Sequence, residues 1–197
     1  MVDPANFTNF KLDGQGLQEY ALFSLMVFNK NADQTAEKLE RFLNWCHGNK
    51  ASHIGHFAAV RQKLKKHSAF ELVNMFKFGN TTIKSNGLEK LVNSGLDLWT
   101  CKPDDLETIP GFGMKTSRFF ILHTQEDARC ACLDTHILQW LKYYTDEDVP
   151  KSTPSRGKYL RLEKVFLSIA DAMGIHPAIL DIRIWNKQRG SEAESHL

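Results

Sequence analysis

LETIPGFGMKTSRFFILHTQEDARCACLDTHI, residues 106–137, is the stretch whose reading decides the fold. It reads as a short helix, a glycine hairpin, a second helix with Lys115 near its start, and a carboxylate, Asp134, at the entry to a third helix. Pro110 fixes its own φ and stops the first helix, while Gly111 and Gly113 supply conformations and close backbone approach that a Cβ would forbid. A helix beginning just after Gly113 leaves its first N–H groups without intrahelical partners at the positive end of its dipole. Such an end suits a phosphate. Lys115 would then stand beside whatever carries that phosphate, as a point-charge contact or, if partly desolvated, as a nucleophilic amine.

Upstream, LQEYALFSLMVFN from Leu17 is apolar around most of its circumference, which predicts a central, largely buried helix. Asn29-Lys30-Asn31 is a polar loop, with Asp33 as the expected N-cap of the next helix. That helix carries Ala36, Leu39, Phe42, Leu43 and Cys46 on one face and ends near Gly48. Residues 51–66 give another helix, whose basic end (Arg61, Lys63, Lys65, Lys66) reads as a solvated face in preference to a DNA stripe. His53 and His56 are read as surface histidines with no metal. Ser68 caps a short helix, and Thr81 or Thr82 starts one that ends at Ser94-Gly95. Gly87 inside it costs about 1 kcal/mol relative to Ala, a cost that close packing would explain.

Downstream, Pro103 sits in a first turn whose dipole Asp104 and Asp105 complement. Past Asp134 come the helix THILQWLKYY, a linker candidate TDEDVPKSTPSRG, and two final helices, RLEKVFLSIADAMG and PAILDIRIWNK. The tail RGSEAESHL is polar and expected to be disordered. Phe23, Phe28, Phe112, Trp140 and Trp185 read as core, with pocket walls as the other reading. No segment alternates as a strand, so the fold class is all-α with about nine or ten helices.

The chain has 197 residues, 42% of them hydrophobic, enough for one domain or two small packed ones with a sizeable core. Its formal net charge of +2 means that any nucleic-acid binding must come from local placement of Lys and Arg. Cys46, Cys101, Cys130 and Cys132 lack the spacing of a zinc or iron–sulfur site and read as free thiols in a reducing compartment. The first residues, MVDPANFTNFKLDGQG, lack a positive region followed by an apolar core, and no run of about 18 apolar residues occurs. A soluble cytoplasmic protein without a membrane partner is expected.

With these residues in view, the chain resembles the helix-hairpin-helix (HhH-GPD) DNA glycosylase superfamily of the endonuclease III type. The carriers are L-x-x-I-P-G-F-G-M-K-T (Leu106 to Thr116) and L-D-T-H (Leu133 to His136), with Lys115 and Asp134 at the family's separation. Weaker agreement extends to F-G-N-x-x-x-K-S-N-G-L (Phe78 to Leu88) and to the first and last helices. The resemblance implies a two-lobed helical domain over residues 16–188, between an arm at 1–15 and a tail at 189–197. Its inner lobe would span about 30–140, and its second lobe would combine the N-terminal helix with 150–188.

It further implies that Lys115 is a nucleophile and Asp134 the catalytic carboxylate of a monomeric enzyme that excises a base from double-stranded DNA and cleaves the resulting abasic site. Taken singly, the lysine is also an ordinary phosphate contact and the aspartate an ordinary N-cap. The resemblance assigns DNA contacts to Gly111, Gly113, Met114 and Thr116 at the hairpin, and to Asn29, Lys30 and Asn31 where the family fills the gap left by a flipped nucleotide. Arg156 and Lys158 would hold another phosphate. Main-chain carbonyls of Glu107, Ile109 and Phe112 would take a monovalent cation, with no other cofactor. Iron–sulfur members carry four closely spaced C-terminal cysteines, and nothing after Cys132 is cysteine, so no cluster is expected.

Two other functions fit the same residues. Phage enzymes that hypermodify thymine, attaching an amino acid or polyamine to activated 5-hydroxymethyluracil in DNA, are similar to this fold and to the run L-D-T-H-I-L-Q-W-L. A non-enzymatic DNA-binding helix-hairpin-helix module is the third.

Overall fold

The computed structural model describes residues 2–28, 30–48 and 54–194, with side chains as far as Lys187. Its regular structure is ten α-helices, and among the described residues there is no strand, as an all-α fold requires. The first helix, α1 (Gly14–Val27), is capped by Asp13, whose side chain accepts the Gly16 N–H at 2.7 Å. Leu17, Tyr20, Ala21, Leu22, Phe23, Leu25 and Met26 are all buried. A helix that is apolar around most of its circumference needs neighbours on several sides. They are α2 (Ala32–His47), α3 (His56–Leu64), α5 (Thr81–Asn93) and α7 (Met114–Thr124).

The α1–α2 connection corrects one expectation. Asn31 caps α2, its Oδ1 accepting the Gln34 N–H at 3.0 Å, and Asp33 falls inside the first turn, where its charge complements the dipole. Ala36, Leu39, Phe42, Leu43 and Cys46 form the buried stripe of α2, as their spacing predicts. Ser68 and Glu71 close a capping box on α4 (Ala69–Met75), satisfying two backbone donors reciprocally.

Two apolar clusters result. The larger gathers side chains from α1 through α7. The smaller is built by α8 (Thr135–Tyr144), α9 (Arg156–Ala172) and α10 (Pro177–Glu194), with Tyr159, Leu162 and Phe166 fully buried in it. The N-terminal helix packs into the larger cluster, against α2, α3, α5 and α7. The last helix, α10, extends to Glu194. Ser191 to Glu194 contain no proline, and Gly190 alone costs a helix about 1 kcal/mol.

The arm before α1 is strapped down. Phe7 is buried among the rings of Phe23, Phe119 and Trp185, at centroid distances of 5.9, 5.2 and 5.4 Å. The Asn9 N–H donates to the His123 carbonyl at 2.9 Å. Between the clusters, the buried guanidinium of Arg118 donates to Glu107 and to Glu163, each at 2.7 Å. That pair of bonds ties α6 (Pro103–Glu107) and α7 to α9. The four cysteines are free and buried.

Candidate active site

The hairpin between α6 and α7 is closed by the Phe112 N–H donating to the Ile109 carbonyl at 3.0 Å. Gly111 has φ +93°, a conformation that favours glycine, and a Cβ there would meet Leu25 Cδ1 at 2.6 Å. Gly113 differs. Its backbone is extended, open to any residue, and a Cβ on it would meet nothing within 4 Å. What it contributes is clear space in front of α7, whose first intrahelical bond runs from the Ser117 N–H to the Gly113 carbonyl at 3.0 Å. The N–H groups ahead of Ser117 have no intrahelical acceptor, and no described side chain caps them.

Lys115, the second residue of α7, faces a cavity of about 550 Å³. Asp134 lines the same cavity from the start of α8, where its Oδ1 accepts the Ile137 N–H at 2.9 Å. The cap and the cavity wall are thus one residue. Lys115 and Asp134 bracket the buried Cys132 thiol electrostatically: burial pushes that thiol well up, Asp181 and Asp134 add to the effect, and Lys115 opposes it. The hairpin and the LDTH turn, separate in sequence, are therefore brought to one wall.

Phe7, Phe28, Phe119 and Trp185 give the cavity aromatic sides, and Lys30, Asn31 and Asp33 lie along it at the α1–α2 connection. Of the aromatic residues left open by sequence, Phe28 and Trp185 are walls, Phe23 and Phe112 are core, and Trp140 packs against Phe166 at 6.1 Å. Asn29 lies outside the described residues. Thr116 is in the cavity wall, and Met114 packs on the C-terminal cluster, so neither side chain presents itself at the outer face of the hairpin. Arg156 and Lys158 lie away from the cavity and face carboxylates: Arg156 donates to Glu107 at 2.6 Å and Asp104 at 2.8 Å, and Lys158 to Asp148 at 2.5 Å. A phosphate at either would compete with those pairs.

Three functional features escape the sequence reading. Lys84, fully buried on α5, donates its ammonium to the Met26 carbonyl at 2.6 Å and the Phe78 carbonyl at 3.0 Å, 4.6 Å from the Phe28 ring centroid. It anchors the C-terminal end of α1 and with it the Phe28 wall. Burial, helped by Lys30 and Lys38, lowers its pKa to about 8. The second feature is Asp181, buried on α10 and lining the cavity. The third is His123 behind it, Nε2 lying 3.4 Å from Asp181 Oδ1. For His123 and Asp181 the available signal was a polar residue set within a largely apolar run, FFILHT and AILDIRI.

Comparison with known proteins finds an 8-oxoguanine DNA glycosylase/AP lyase of Thermoplasma volcanium, 38% identical over 86 residues. Proteins of the same description from Thermoplasma acidophilum and Metallosphaera sedula are 37% and 34% identical over stretches of the same length. Over that stretch the chain is similar to these DNA glycosylase/AP lyases. Each match covers 44% of this chain and only 40 to 41% of the relative's length. No protein-family model and no solved structure matches the chain. The two motifs singled out in the sequence, the hairpin with Lys115 and the LDTH turn with Asp134, are the segments that meet at the cavity.

Proposed function

We propose that the chain is a DNA glycosylase with an associated abasic-site lyase activity, acting as a monomer on double-stranded DNA and excising an oxidised purine such as 8-oxoguanine. One observation carries the reading: Lys115 and Asp134 line the same aromatic-walled cavity beside an uncapped helix start. A target base cannot be reached within a duplex, so its nucleotide is extruded into the cavity while the hairpin N–H groups take a backbone phosphate. Phe28 and Trp185 offer stacking faces to the base. A volume of about 550 Å³ admits a nucleotide-sized ligand.

The Lys115 amine, in its neutral form, attacks the sugar C1′ and the base departs. Ring opening then yields a Schiff base, from which the 3′-phosphate is eliminated. Asp134 stabilises the positive charge that develops on the sugar and relays a proton as the Schiff base forms. A monovalent cation would be held by the main-chain oxygens of Glu107, Ile109 and Phe112, where it would stiffen the turn. The Ile109 oxygen already accepts the Phe112 N–H and has a second lone pair for such an ion. The test is product analysis on a duplex carrying 8-oxoguanine. Free base with a cleaved strand is expected, whereas an intact strand carrying a heavier nucleoside would contradict the reading and favour base hypermodification.

A further inference from the structure

Behind the cavity wall lies a polar couple that the Lys115–Asp134 chemistry does not use. Asp181 is 8% exposed, and its Oδ2 has no hydrogen-bond partner among the described residues. Its Oδ1 faces His123 Nε2 at 3.4 Å, a distance and aim that make an electrostatic neighbour and not a hydrogen bond. The other imidazole nitrogen, Nδ1, is taken by the Thr8 hydroxyl at 2.9 Å, so the ring is held from the far side by the N-terminal arm. One carboxyl oxygen thus lies near a fixed imidazole, and the other, itself buried, has no partner at the back of the cavity that Asp181 lines. A buried polar atom without a partner costs stability and calls for an explanation.

We propose that Asp181 is the general acid of the cavity, its carboxyl carrying the proton that the departing base takes as the C1′–N bond breaks. The inference rests on the glycosylase reading and adds a residue and a role to it. In the step, the lone pair of the neutral Lys115 Nζ forms the bond to C1′. The C1′–N pair goes to the base, and the proton of Asp181 moves to the base so that it leaves neutral. Asp181 is then a carboxylate and Lys115 a substituted ammonium, whose proton returns to Asp181 directly or through water before the ring opens. The two carboxyls of the cavity stand in different surroundings, which is how one site can run acid and charge-stabilising roles together. Asp134 accepts a backbone N–H at a helix start. Asp181 is buried with no donor on Oδ2.

The groups around Asp181 favour a proton on it. Burial pushes its carboxyl up, His123 pulls against that, the Asp134 charge adds to the rise, and Lys115 opposes it. The Cys132 thiol and the Tyr20 hydroxyl, also in its electrostatic range, are themselves pushed well up by burial and carry no charge near neutral pH. His123 is a positioning residue, since it reaches the substrate only through Asp181.

The test compares two duplexes, one carrying 8-oxoguanine and one a preformed abasic site, in single-turnover reactions with the full chain. Asp181→Asn should lower base release by about 10²-fold or more, the usual range for a lost general acid. It should leave strand cleavage and borohydride trapping at the preformed abasic site within a few-fold, because no base departs there. Equal losses on both duplexes, or none on either, would overturn the role. For the wild-type protein, independently of any variant, the ratio of base release to abasic-site cleavage should fall as pH rises. A ratio that stays flat across the pH range would also overturn it. If wild type cleaves neither duplex, the glycosylase reading itself fails, which is a separable result.

Discussion

A Cβ at Gly87 would overlap the Pro110 carbonyl oxygen, so the helix α5 and the hairpin touch backbone to side-chain position with no room for a methyl group. Leu25 Cδ1 of α1 would also lie 2.8 Å from that atom. The glycine that weakens α5 as a helix is what lets the hairpin seat against it, and the seat fixes the direction in which α7 leaves with Lys115.

Gly87→Ala tests that seat. Because the obstacle is backbone and not a flexible side-chain tip, the substitution should cost about 1–3 kcal/mol by overpacking. For a chain of this size that corresponds to a fall in Tm of about 2–12 °C. Thermal unfolding reads it, and an unchanged Tm would show that the hairpin moves freely.

Lys84 makes stability depend on alkaline pH with a definite sign. Its folded pKa of about 8 is below the ordinary value of 10.5. Between those values the unfolded chain binds more protons at this site, so its contribution to stability rises with pH through that window and is smallest below pH 8. The buried cysteines act oppositely: burial raises Cys46, Cys101 and Cys130 to about 12, so they lose stability as unfolded thiols ionise. The useful quantity is therefore the difference between wild type and Lys84→Met. Urea midpoints taken from pH 7.5 to 10 should show wild type gaining on the variant as pH rises, and parallel curves would contradict the assignment.

Arg118 lies between the two apolar clusters with its charge shared by Glu107 and Glu163, whose side chains are 16% and 11% exposed. Removing one partner of a buried pair leaves an uncompensated charge, at a cost of about 3–5 kcal/mol. Arg118→Met should therefore unfold at a much lower urea concentration than wild type. Replacing the exposed Arg129, paired with Asp171, should shift stability by less than about 1 kcal/mol.

Asp134 has two roles that substitution can separate. Asparagine also caps helices well, so Asp134→Asn should keep the fold within about 0.5 kcal/mol while base release falls. Asp134→Ala should lose base release and also about 1 kcal/mol of stability with the cap. Chemical denaturation beside single-turnover kinetics distinguishes the two. Equal stability of both variants would mean that the bond to Ile137 contributes nothing.

The hairpin and the Asp134 cap are legible in the sequence because each depends on local chemistry: a proline stop, glycines in a tight turn, a capping residue; the pairing of Lys115 with Asp134 is what the family resemblance implies. The buried stripe of α2 was legible for the same reason. The long-range relationships were not. Whether Arg156 meets a phosphate or Glu107 is set by packing of α9 against α6, which no periodicity encodes. The placing of α1 with the larger cluster, and the pairing of His123 with Asp181 across two helices, likewise arise only when the elements assemble. The sequence does show that a polar residue interrupts an apolar run. It does not show which partner meets it.

The central claim is that Lys115 is the nucleophile, and borohydride reduction tests it most directly. Incubating the protein with an abasic-site duplex and borohydride should yield a covalent protein–DNA adduct attached through Lys115, and Lys115→Gln should yield none while still binding the duplex. An undiminished adduct from Lys115→Gln, or no adduct from a folded wild-type protein that binds the same DNA, would contradict the account.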